Sequence, residues 1–174
     1  MNYMTIKKCD IANGPGVRVS LFVSGCRRHC KGCFNSKAWD FNAGKKYDLG
    51  VQNVILHAMN HSYIEGFSIL GGEPLEPENV SEIINLCYHV KYIYPEKTIW
   101  IYTGFTIEKL MNDSRYDDLW DYIDVIVDGA FEINKKDPTL EFRGSSNQRI
   151  IKIGHKHTRY DYIVLKGADE NEKM

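Results

Sequence analysis

The chain has 174 residues, 43% of them hydrophobic and 26% charged, with a formal net charge of −1. That length suits a single domain and leaves little room for a second core. The near-neutral balance argues against nucleic acid or a bilayer surface as partner, and no apolar run is long enough to span a membrane.

Met1 to Asp10 lacks the charged-then-apolar layout of a secretory signal. A cytoplasmic protein with reduced thiols is therefore expected. Val17–Ser24 (VRVSLFVS) is rich in β-branched and aromatic residues and predicts a strand. It runs into Cys26-Arg27-Arg28-His29-Cys30-Lys31-Gly32-Cys33, which must be a loop. Asp48–His61 predicts a helix with Val51, Val54, Ile55 and Ala58 on one face. Phe67–Leu70 is a short strand ending at Gly71-Gly72. Pro77 suits the first turn of a helix reaching about Tyr94, where Pro95 stops it; its apolar face is Val80, Ile83, Ile84, Cys87 and Val90. Thr98–Tyr102 predicts a strand, Thr106–Met111 and Tyr116–Tyr122 short helices, Asp124–Val127 a strand closed by Asp128-Gly129, and Arg149–Ile153 a last strand. The core then covers about 1–153, with a charged, fraying tail after Lys166.

Strands alternating with helices imply βαβ units, hence an α/β fold with a mostly parallel sheet. Ser24-Gly25, Gly71-Gly72-Glu73, Thr103-Gly104 and Asp128-Gly129 all follow predicted strands. In parallel α/β folds ligands gather at that edge of the sheet. About five strands cannot close an eight-stranded barrel, so a partial, open one is expected.

Of five cysteines, three crowd into the C-x3-C-x2-C run of Cys26, Cys30 and Cys33. In a reducing compartment such crowding favours metal binding over disulfides. Three thiolates in a tight loop suit one [4Fe–4S] cluster and leave its fourth iron open to a chelating ligand. The competing reading is a structural zinc site capped by His29 or Cys9. No second C-x2-C pair supports it, and His29 sits awkwardly between two of the ligands. Cys87, on the apolar helix face, reads as a core residue.

This loop, placed after a first strand, resembles the radical S-adenosylmethionine (SAM) superfamily. Asn13-Gly14-Pro15-Gly16-Val17-Arg18 and Gly32-Cys33-Phe34-Asn35 resemble the activating enzymes of glycyl-radical proteins. Tyr102-Thr103-Gly104-Phe105, Val127-Asp128-Gly129 and Arg143-Gly144-Ser145-Ser146-Asn147-Gln148-Arg149 narrow the likeness to activators of anaerobic ribonucleoside-triphosphate reductase. It runs from Met1 to about Arg149. Gly32 departs from the aromatic residue frequent there across the superfamily, as small residues in the reductase activators also do. The residues after Arg149 have no assigned role.

The resemblance implies a radical SAM-type partial (β/α) barrel with two cofactors, the [4Fe–4S] cluster and SAM. Reductive cleavage of SAM would place a glycyl radical on the large subunit of the reductase. Gly71, Gly72 and Glu73 would form the SAM motif, with the Glu73 carboxylate on the SAM ammonium. The backbone of Gly32, Cys33 and Phe34 would pass the adenine. Thr103 and Asp128 would reach the ribose or methionyl part, with capping of a turn or helix as the plainer role. Asn147, Gln148 and Arg149 would contact SAM or the partner, and a surface salt bridge is the plainer role for Arg149. The basic Arg27-Arg28-His29-Lys31 patch would draw an acidic, flavodoxin-like electron donor. Activation of pyruvate formate-lyase, or a non-catalytic iron–sulfur or zinc protein, are the rival functions.

Overall fold

The short Asn13-Gly14-Pro15-Gly16 turn decides the first pairing. It returns the chain too quickly for a crossover, so β1 (Asn2–Asp10) lies antiparallel to β2 (Val17–Val23). The chain continues through β3 (Lys45–Lys46), α1 (Leu49–Met59), β4 (Ile64–Gly71), α2 (Pro77–Ile93), β5 (Thr98–Tyr102) and α3 (Ile107–Met111). It ends with β6 (Val125–Asp128), β7 (Arg149–Gly154) and β8 (Asp161–Lys166). Short 3-10 helices occupy Ser36–Ala38, Ser114–Asp121 and Ile133–Lys135. This computed structural model describes residues 1–154 and 161–167, so the expected fraying tail lies, apart from Gly167, outside the described residues.

One eight-stranded sheet has the order β3-β1-β2-β4-β5-β6-β7-β8 and does not close. Only β2, β4, β5 and β6 run parallel; β1, β3, β7 and β8 join antiparallel. The expected mostly parallel sheet is thus corrected to a mixed one. Hydrophobic alternation marks strands without recording their direction, and β1 escapes prediction because its side chains are mostly half-buried or exposed.

The helices pack on one face of the sheet. Leu21, Phe67, Ile69, Ile99, Ile101 and Ile126 meet Ile55, Met59, Ile83, Leu86, Cys87 and Val90 there, all fully buried. Each such side chain contributes about 1.5–3 kcal/mol relative to exposure. Val54, expected on the buried face of α1, is instead 45% exposed, while Gln52 turns inward toward the Tyr47 hydroxyl. The N-cap of α1 is Asp48, whose side chain accepts the Val51 N–H at 3.0 Å. On the opposite face Trp100, Val125, Val127 and Ile150 form a smaller apolar cluster. Arg18, fully buried, donates to the carbonyls of Phe67 and Thr98 and to the Ser68 hydroxyl, tying three parallel strands together. No helix of the described residues is long and apolar enough to cross a membrane.

Candidate metal centre

The parallel register brings the ends of β2, β4, β5 and β6 to one edge, as the sequence predicts. Beyond β2 the chain turns at Gly25, whose φ of +92° and contact with the Phe41 ring leave no room for a side chain. Gly25 and Cys26 donate to the carbonyls of Ala38 and Trp39, at 2.8 and 3.0 Å. The loop then bends through His29 and Gly32, both at positive φ, and the Cys33 N–H meets the Cys30 carbonyl at 3.1 Å. Cys26 is buried, Cys30 and Cys33 are half-buried, and all three are free thiols.

This donor set fits an iron–sulfur cluster: three soft sulfur ligands on one short loop, none of them tied up in a disulfide. Burial pushes the Cys26 thiol up, and the backbone N–H groups of Arg28 and His29, donating to its sulfur, oppose that by favouring thiolate. Among the described residues, no three His, Cys, Asp or Glu side chains close on a point fit for one metal ion. A cubane asks instead for thiolates spread around it, one to each ligated iron. Neither zinc cap joins the loop thiols. Cys9 is exposed on β1 beside Asp10, which pairs with Arg18 at the opposite end of β2, and the His29 ring stacks on Trp39 at 4.5 Å.

Gly72 and Glu73 lie directly against the cysteine loop. The Gly72 N–H donates to the Val23 carbonyl at 2.8 Å, and the Glu73 N–H to the Gly25 carbonyl at 2.7 Å. The Glu73 carboxylate, expected on a SAM ammonium, points inward and is 2% exposed. It accepts the Thr103 hydroxyl at 2.7 Å, the Gly104 N–H at 2.8 Å and the Leu75 N–H at 3.1 Å. Burial raises its pKa, and those hydrogen bonds pull the other way. Glu73 and Thr103 therefore form a strut between the ends of β4 and β5. Thr103 also caps its own turn by accepting the Phe105 N–H.

Asp128, fully buried at the end of β6, accepts the Ile107 N–H at 2.8 Å and the Arg149 Nε–H at 2.9 Å. Arg149 also reaches Glu108 with two donors, each at 2.9 Å. Asp128 first, and Glu108 after it, hold the guanidinium's pKa above its usual range. The ion pair is half-buried rather than a loose surface bridge. In the late loop, Asn147 donates to the Ala130 carbonyl and Gln148 to that of Gly129, while Gln148 Oε1 accepts from Gly144 and Ser145. The stretch thus clamps the backbone beyond β6. Phe34 stands 86% exposed at the loop's rim, and Gly32 lies against Ile133.

The basic patch is largely committed within the molecule. Arg27 pairs with Glu76 and Glu78, Arg28 lies over the Phe105 ring at 4.9 Å, and His29 is stacked. Sequence reading missed Glu76 and Asn79 altogether. Glu76 is the N-cap of α2 and Asn79 lies in its first turn, where a polar residue ordinarily serves only the helix start. Pro77 marks that start, and it is the only local signal near them.

A family model described as a 4Fe–4S single cluster domain matches residues 12–151. An anaerobic ribonucleoside-triphosphate reductase-activating protein from Pasteurella multocida is 41% identical over 155 residues, covering 88% of this chain and 98% of that relative. Proteins of the same name from Vibrio cholerae and Enterobacteria phage T4 are each 42% identical, covering 86% of this chain and 97% and 93% of the relatives. This chain therefore belongs to the 4Fe–4S single cluster domain family and, within it, to the anaerobic ribonucleoside-triphosphate reductase-activating proteins.

Proposed function

We propose that this protein activates anaerobic ribonucleoside-triphosphate reductase, holding a [4Fe–4S] cluster on Cys26, Cys30 and Cys33 with SAM beside it. The observation that carries the reading is the junction of the cysteine loop with Gly72-Glu73, where the Glu73 N–H meets the Gly25 carbonyl. When bound, cluster and SAM supply reductive cleavage and the radical chemistry that leaves a glycyl radical on the reductase.

The chain's own residues position and shelter those groups. Gly72, lacking a side chain, leaves the loop backbone approachable from β4. The Glu73–Thr103 strut and the Asp128–Arg149 pair fix the edge on which SAM would lie. The exposed Phe34 and the backbone of Gly32 and Cys33 would border its adenine. Asn147 and Gln148, spent on the loop beyond β6, shape the rim the reductase would meet. The chain would act as one radical SAM unit, its open sheet forming the partial barrel through which the reductase's peptide enters. A flavodoxin-like protein is the proposed electron donor, and the cytoplasm the compartment.

Anaerobically reconstituted protein should give a reduced [4Fe–4S] electron paramagnetic resonance signal that changes shape on adding SAM. With reductase and reductant, it should yield a glycyl radical on the reductase. Deoxyadenosine formed without that radical would overturn the substrate assignment.

A further inference from the structure

The first cluster cysteine is placed by a residue far away in sequence. Glu76, 5% exposed just before α2, accepts the Arg27 backbone N–H on Oε1 at 2.9 Å and the Arg27 guanidinium on Oε2 at 2.8 Å. One carboxylate thus grips one residue twice, immediately after Cys26. Around it, Asn79 donates to the carbonyls of Ser24 and Glu73, at 3.0 and 2.9 Å, fastening the strand end just before the cysteine. The Arg27 guanidinium continues to Glu78 and lies over the Phe41 ring at 4.6 Å. Beyond Arg27 the loop passes out of reach of Glu76 and Asn79: Arg28 and His29 are exposed against the Phe105 and Trp39 rings, and Cys30 and Cys33 are half-buried.

We propose that Glu76 is a positioning residue for the cluster, fixing the Cys26 end of the loop through Arg27 and setting a negative charge beside that ligand. The inference rests on the cluster reading above. Holding the Cys26 end keeps one iron site fixed relative to Gly72-Glu73, whose Glu73 N–H meets the neighbouring Gly25 carbonyl. Groups that hold and charge the surroundings of a ligand tune both the retention and the potential of a metal centre.

The test compares wild type, Glu76→Gln and Glu76→Ala. In the protein without iron, amide hydrogen exchange at Arg27 should be roughly fivefold to tenfold faster in Glu76→Ala, as for a lost hydrogen bond, while Glu76→Gln, whose amide oxygen can still accept, stays protected. After anaerobic reconstitution, Glu76→Gln should keep wild-type iron content but show a more positive cluster midpoint potential, because one nearby anion is gone. Glu76→Ala should lose iron faster to a chelator. Unchanged Arg27 exchange in Glu76→Ala, or an unmoved potential in Glu76→Gln, overturns this inference while leaving the cluster reading intact. A wild-type protein that takes up no cluster overturns both.

Discussion

Replacing Gly72 by alanine puts a methyl group where the structure has only backbone. An ideal Cβ would stand 2.5 Å from the Gly25 carbonyl oxygen and 2.9 Å from that of Ala38. Neither atom can swing aside. The Gly25 carbonyl accepts the Glu73 N–H, and the Ala38 carbonyl accepts the Gly25 N–H. Relief therefore requires a backbone shift, costing about 1–3 kcal/mol for overpacking. About one hydrogen bond would weaken with it, worth roughly 0.5–1.5 kcal/mol. The sum, about 1.5–4.5 kcal/mol, lowers the melting temperature by roughly 3–18 °C for a chain of this size. Because Gly25 precedes Cys26, iron uptake should fall as well. Thermal unfolding of the iron-free protein by circular dichroism gives the first quantity, and iron per chain after reconstitution gives the second. Gly144→Ala is the control, since the nearest atoms its Cβ would meet belong to side chains, the Phe131 ring at 3.2 Å and Gln148 at 3.6 Å, rather than to backbone. A Gly72→Ala protein that melts like wild type and binds full iron would refute the close approach on which the site is built.

Thr103→Val removes the 2.7 Å hydroxyl from the buried Glu73 carboxylate. Its cost should be about 1.5–3 kcal/mol in urea unfolding, and no measurable loss would remove the strut. Asp128→Ala strips Arg149 of one partner and leaves the Ile107 N–H dry, for about 2–4 kcal/mol, since Glu108 still holds the arginine. Equal unfolding midpoints for Asp128→Ala and wild type would contradict this. The hydrogen bond from Arg27 lowers the Glu78 pKa to about 2. Because the folded value is depressed, the pair's contribution is complete above the ordinary 4.5 and fades as pH falls toward about 2. Carboxyl titration followed by NMR should show this midpoint, rising to the ordinary range in Arg27→Gln; an ordinary midpoint in wild type would dismiss the pair.

Much of the site was legible because it is written locally. The C-x3-C-x2-C spacing, the strand before it and the Gly71-Gly72 pair at the end of β4 are contiguous signals, and each lies where it was expected along the chain. Pro77 and the 3.6-residue period of Val80, Ile83, Cys87 and Val90 placed α2 to within a residue of its observed end. Strand direction was another matter. The pattern of Arg149–Ile153 predicts β7 equally well whether it runs parallel or antiparallel to β6, and the polar β1 carries little pattern at all. The same limit applies to side-chain partners. The residue types of Glu73, Asp128 and Arg149 suit a charged ligand as well as they suit one another, and only the folded sheet brings Thr103 to Glu73 and Arg149 to Asp128. Glu76 meets Arg27 across 49 residues, so no local window contains both. Sequence alone marked the three-cysteine loop proposed to hold the cluster and the edge that bears it, because spacing and periodicity are properties of neighbouring residues. The tertiary structure decided the sheet's mixed direction and which charges are spent holding the site together, because those depend on contacts between segments far apart in the chain.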